Sequence, residues 1–136
     1  MSLSTNKNII KSFVKEVFNE HDISATEKYF DSESPLARTE IFKEFLTAQF
    51  KAFPDFQAKI EHILAERDLV VVFLNFTGTH KGEFQGRPPT NKQVTTRSAD
   101  LYRIENEKIV EHWDVVDQLN LLQQTGAITF DKLNKK

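Results

Sequence analysis

Phe53-Pro54-Asp55-Phe56-Gln57-Ala58-Lys59-Ile60-Glu61-His62-Ile63-Leu64 is where the hydrophobic period of this chain changes. Before it, apolar residues recur at helical spacing. Ile9, Ile10, Phe13, Val14, Val17 and Phe18 predict an amphipathic helix from about Thr5 to Asn19. Ile41, Phe42, Phe45, Leu46, Gln49, Phe50 and Phe53 mark another from Thr39, which Pro54 stops. Between them, Ser24-Ala25-Thr26-Glu27 has capping-box spacing and opens a short helix through Phe30, and Asp31 to Leu36 reads as a loop. After Pro54 the period is two. Phe56, Ala58, Ile60, His62 and Leu64 form the apolar face of a half-buried strand.

Further strands follow. Arg67-Asp68 makes a turn, and Leu69 to Phe76 is apolar enough to be covered on both faces. Gln93 to Ile104 and Lys108 to Val116 form a hairpin around Glu105-Asn106-Glu107. Leu119 to Gln124 closes the chain as a helix ended by Gly126, with a polar, frayed tail from Thr129 to Lys136. Helices first and antiparallel strands afterwards give an α+β fold, a curved sheet with helices on one face and a pocket at its mouth.

The totals narrow the function classes. A length of 136 residues predicts a single domain able to bury a core without staples. The net charge of −2, with both signs dispersed, offers no nucleic-acid footprint and no membrane patch. Thiolate chemistry and disulfides are excluded because there is no cysteine. No apolar run approaches the roughly 20 residues of a membrane span, and the N-terminus has no signal-peptide core, so a cytoplasmic protein is expected. Twelve phenylalanines against one Trp and two Tyr suit a core, a cavity wall, or both.

Chemistry concentrates on the last hairpin. Val110, His112, Asp114 and Val116 share one face of the final strand; Val94, Thr96, Ser98, Asp100 and Tyr102 share one face of its partner. A two-residue loop pairs Ile104 with Ile109 and sets Asp100 beside Trp113, whereas a three-residue loop sets Asp100 beside His112 or Asp114. The three-residue loop is the expectation, with Asn106 or Glu107 in left-handed conformation. Asp100, His112 and Asp114 then converge as catalytic candidates, with Ser98 and Tyr102 close by. Two carboxylates and an imidazole facing an apolar pocket have their pKa values pushed apart, which suits proton transfer near neutral pH. The bland alternative makes Asp114 a cap for the closing helix and His112 a core residue.

His80, at a strand end, either lines the pocket or bonds a loop carbonyl. His80, Tyr102, Ser98 and Phe53 are the substrate-binding candidates, while His21 and His62 read as packing or surface residues. Pro88-Pro89 makes a stiff loop or a lid. No metal-ligand spacing appears, so no metal and no cofactor is expected.

Several pieces together resemble the SnoaL-like polyketide cyclase family of the NTF2-like superfamily. They are Phe53-Pro54-Asp55-Phe56, Gly78-Thr79-His80-x-Gly82, Phe84-x-Gly86-x-Pro88-Pro89-Thr90, Arg103-Ile104, Lys108-Ile109-Val110-Glu111-His112-Trp113-Asp114 and Leu121-Leu122-Gln123-Gln124-x-Gly126, within Asn8 to Gly126. The resemblance implies an NTF2-like cone, a homodimer or homotetramer, and metal-free intramolecular aldol closure of a polyketide ester. It makes Asp114 the general acid/base. A pocket histidine of some cyclases falls at Asp100, leaving His112 or His80 as substitutes. Asn91 stands where Gly usually follows Pro-Pro-Thr, and Phe30 to Arg38 is short. The expected ligand is a small hydrophobic carbonyl compound. A non-catalytic ligand-binding or oligomerisation module on the same fold is the alternative.

Overall fold

The structure, a computed structural model, describes residues 2–128. Helix α1 (Leu3–Phe13) starts at a Ser2 cap whose side chain accepts from the Thr5 amide. The predicted helix does reach Asn19, but its final stretch, Val14–Asn19, is π-helical. That widened turn lets Asn19 reach the sheet, where its side chain donates to the Ala58 carbonyl at 2.9 Å and accepts from the Ala58 amide at 2.6 Å.

Helix α2 (Thr26–Tyr29) is preceded by a 3-10 turn over Ile23–Ala25. The expected capping box at Ser24 is not used. Asp22 caps instead, accepting from the Ala25 amide, and Ser24 donates to that same carboxylate. The segment read as a loop contains a 3-10 turn over Pro35–Ala37, after which α3 runs Thr39–Ala52.

Four antiparallel strands follow in sequential order: β1 (Gln57–Glu66), β2 (Leu69–Thr79), β3 (Gln93–Glu105) and β4 (Lys108–Val116). Helix α4 (Gln118–Gln124) closes the chain, with Gly126 in left-handed conformation just beyond it. The tail from Thr129 to Lys136 lies outside the described residues. The result is an α+β fold with helices on the concave face of the sheet.

Two bulges decide which side chains face the helices. In β1 the register shifts between Ile60 and His62. Inward alternation therefore passes to Ile63 and Ala65, which pack on the core. His62 and Leu64, expected inside, face outward, and Leu64 is 60% exposed. In β4 the extra residue is Val110: Ile104 pairs with Ile109, but Arg103 pairs with Glu111.

Expectation also fails for β2, which is covered on one face only. Val70, Val72 and Leu74 are buried, while Phe73 on the other face is 39% exposed. Leu64, Phe73, Trp113 and Val115 make the outer sheet face apolar.

Phe13 sits at the centre of the core. Its ring lies 5.3 to 5.9 Å from those of Phe18, Tyr29, Phe30, Phe42 and Tyr102, joining α1, α2, α3 and β3. Aromatic pairs at such distances and tilts add attraction beyond their buried area.

Candidate active site

The hairpin turn contains two residues, Asn106 and Glu107, not three. Both have positive φ, 50° and 63°, as a type I′ turn requires. Such a turn alone would set Asp100 beside Trp113. The Val110 bulge restores the register, so Asp100 faces Asp114 and Tyr102 faces His112. Convergence of the carboxyls was expected, but a bulge produces it, not an odd loop. The bulge has its own support. The Asp31 amide donates to the Ile109 carbonyl at 2.9 Å, and Ser34 Oγ donates to the Val110 carbonyl at 2.7 Å.

Asp100, His112, Asp114 and Ser98 line a cavity of about 330 Å³ between the sheet and α3. This lies at the small end of ligand pockets. Its walls are apolar, and Phe18, Phe42, Phe45, Phe56, Phe76 and Phe84 contribute to them, so half of the twelve phenylalanines serve the cavity. Several of these are also core residues.

Asp100 is 3% exposed. Ser98 Oγ and Tyr102 Oη donate to its Oδ2 at 3.4 and 3.5 Å, and its Oδ1 has no partner among the described residues. Burial, reinforced by Asp114 across the strand pair, pushes its pKa up to about 8. Asp100 is therefore a carboxylic acid at neutral pH. Asp114 is more open, with 35% of its side chain exposed. Its Oδ2 accepts from His112 Nδ1 at 2.9 Å. That bond sets the imidazole's orientation, and Phe30, Phe42 and Tyr102 pack around the ring at 5.3, 5.5 and 6.2 Å. Asp114 does not cap α4; Asp117 does, accepting from the Asn120 amide.

Three expected lining residues stand elsewhere. Tyr102 is fully buried behind Asp100 and bonds it without reaching the cavity. Phe53 is 1% exposed, packed against Gly78, His80 and Phe84 and outside the lining of this cavity. His80 is 0% exposed, and burial lowers its pKa. Its Nδ1 accepts from the Thr90 amide at 3.3 Å and lies 3.0 Å from Thr90 Oγ1, so it pins the Pro88-Pro89 loop, which stays out of the cavity. Asn91, in the same loop, has φ 57°. This conformation favours Gly, and Asn tolerates it best among the others. The departure from the family pattern is therefore conformationally conservative. His21 is a packing residue, stacking on Phe50 at 4.1 Å, and His62 is a surface residue lying edge-on to Phe73.

Arg38, Gln49, Thr96 and Gln118 line the cavity and were not singled out from sequence. Gln49 carried a signal, as the one polar residue in the apolar stripe of α3. Thr96 shares the inward face of Asp100, but Arg38 gave none. Among the described residues no group of three or more His, Asp and Glu is arranged to hold a metal ion. No helix among them is long and apolar enough to cross a membrane.

The SnoaL-like polyketide cyclase family model matches residues 8–125. Similar solved structures share this fold. AclR of Streptomyces galilaeus, a proposed hydroxylase, is 30% identical with a TM-score of 0.85, over 93% of this chain and 84% of that one. A proposed polyketide cyclase of Acidithiobacillus ferrooxidans is 29% identical with a TM-score of 0.78, over 95% and 100%. TsrD of Streptomyces laurentii has the same fold, with a TM-score of 0.84 at 21% identity, over 94% and 99%. No curated protein matches the chain. The chain belongs to the SnoaL-like polyketide cyclase family, on the NTF2-like fold.

Proposed function

We propose that the protein carries out metal-free acid/base chemistry on a small hydrophobic carbonyl compound, of the intramolecular aldol type, with Asp114 as the base. The observation that carries this reading is the pair of facing carboxyls in an apolar cavity, one deeply buried with a pKa of about 8 and the other open to the cavity. Environments that push two carboxyls apart assign them different roles.

Asp114 removes a proton from a carbon flanked by carbonyls. The electron pair spreads into the enolate, and the Asp100 O–H hydrogen-bonds the developing oxyanion. The enolate carbon attacks a second carbonyl of the same molecule. One carbon–carbon bond forms, the carbonyl π pair becomes an alkoxide, and Asp114 returns its proton to that oxygen. His112 holds Asp114 in place through the 2.9 Å bond. The apolar walls supply orientation and exclude water.

The chain acts as a homodimer in this reading, joined through the outer sheet face that carries Leu64, Phe73, Trp113 and Val115. The support is that Val115 and Leu64 are 67% and 60% exposed on one side of a sheet.

Screening β-dicarbonyl and β-keto ester compounds with wild type and Asp114→Asn tests the chemistry. Turnover is expected to fall by roughly 10²–10⁴ in the variant with little change in melting temperature. A large loss of stability with turnover intact would make Asp114 structural.

A further inference from the structure

We infer that Arg38 is a specificity residue that anchors a carboxylate on the ligand, so that the cavity takes an apolar carbonyl compound bearing one acidic group. This rests on the reading of the cavity as a ligand site and names the substrate class for it.

Arg38 lines the same cavity as Asp100, His112 and Asp114. Its guanidinium makes no hydrogen bond and no ion pair among the described residues. The other charges near it are engaged. Glu40, in the first turn of α3, lies 3.7 Å from Lys43, which also pairs with Glu27. By contrast Arg103, on the outer side of the hairpin, pairs with both Asp68 and Glu111.

The backbone presents Arg38 deliberately. Its φ and ψ are 51° and 43°, a left-handed conformation uncommon for a residue with a Cβ. Such conformations persist where the surroundings over-determine them. Here the neighbours Ala37 and Thr39 are 0% and 6% exposed. Upstream, Ser34 ties the segment to the Val110 bulge of β4. Between these two buried neighbours Arg38 is itself exposed, and it lines the cavity.

The position adds to the charge. Arg38 is the N-cap of the 14-residue α3 and has no side-chain cap bond, so the positive end of the helix lies at the same place. Two buried polar atoms of cavity-lining residues lack partners among the described residues, Asp100 Oδ1 and His112 Nε2. They mark the reacting end. A guanidinium offers a planar fork of donors that matches a carboxylate in two parallel bonds. A ligand with a carboxylate at Arg38 would then lie along the phenylalanine walls with its carbonyls toward the carboxyl pair.

Calorimetric binding of 1-naphthoate and of its neutral methyl ester, to wild type, Arg38→Gln and Arg38→Lys, tests this. Wild type is expected to bind the acid roughly tenfold more tightly than the ester, as one charge-assisted contact implies. Arg38→Gln is expected to lose that preference with ester affinity and melting temperature unchanged, and Arg38→Lys to keep part of it. Equal binding of acid and ester by wild type, or a preference that survives Arg38→Gln, overturns the Arg38 inference while the cavity remains a ligand site. Binding of neither compound overturns both.

Discussion

Asp100→Asn is expected to stabilise this protein at neutral pH, although it replaces a buried residue in the candidate site. Burial and the facing Asp114 raise the Asp100 carboxyl from 3.8 to about 8. At pH 7 the folded chain therefore holds a proton there that the unfolded chain has released. The sign follows: folding takes up a proton, so this contribution is fully present in acid, below the unfolded value. It is lost as pH rises toward the folded one. About three pH units separate the unfolded value from pH 7, each worth about 1.4 kcal/mol. Neutral solution thus costs the folded state on the order of 4 kcal/mol. Asn matches the protonated acid in shape and has no proton to lose. Its amide oxygen can accept from Ser98 and Tyr102, as Oδ2 does now. Urea denaturation at pH 4 and at pH 7 reads the effect. The variant should gain on the order of 4 kcal/mol at pH 7 and almost nothing at pH 4. Lower stability at pH 7, or the same change at both pH values, would refute the assignment of Asp100 as a neutral acid.

Three further outcomes follow from the same geometry. Asp114→Asn should lower the Asp100 pKa, since Asp114 is the second cause of its rise; a carboxyl-carbon NMR titration reads this directly. Gly82→Ala should cost more than about 2 kcal/mol, because a Cβ there would lie 2.3 Å from the Lys51 carbonyl oxygen; a thermal melt within a degree or two of wild type would contradict the close packing of this loop on α3. Asp22→Ala should cost about 1 kcal/mol as a lost helix cap and Ser24→Ala distinctly less, the reverse of what a Ser24 capping box requires; denaturant midpoints compare the two.

Periodicity carried most of the fold. The stripes of α1 and α3, the break at Pro54 and the alternation after it are local signals, and each element lies where its pattern put it. Bulges are not local signals. In β1 one turns Leu64 outward, and in β4 one brings Asp114 opposite Asp100, yet no residue type at Glu61 or Val110 marks an insertion. What stabilises the β4 bulge comes from far away in sequence, from Asp31 and Ser34. The candidate site was therefore legible as a set of residues on one strand face, but not as a register.

Motif position misled at His80 and Phe53. Both lie in stretches that carry the family resemblance, and both are packing residues at the loop beyond β2. Arg38 was invisible for the opposite reason. Its significance lies in its place on the cavity wall and in its lack of an ion pair among the described residues, and neither can be read from composition or spacing.

The central claim is that Asp114 abstracts a carbon-bound proton inside this cavity. Deuterium incorporation at the carbon between the carbonyls of a naphthyl-substituted β-keto ester, followed by NMR in D₂O, tests it most directly. Wild type should accelerate exchange in a saturable way, and Asp114→Asn should return it to the uncatalysed rate while remaining folded. Exchange at the uncatalysed rate with wild type, or acceleration that survives Asp114→Asn, would contradict the account.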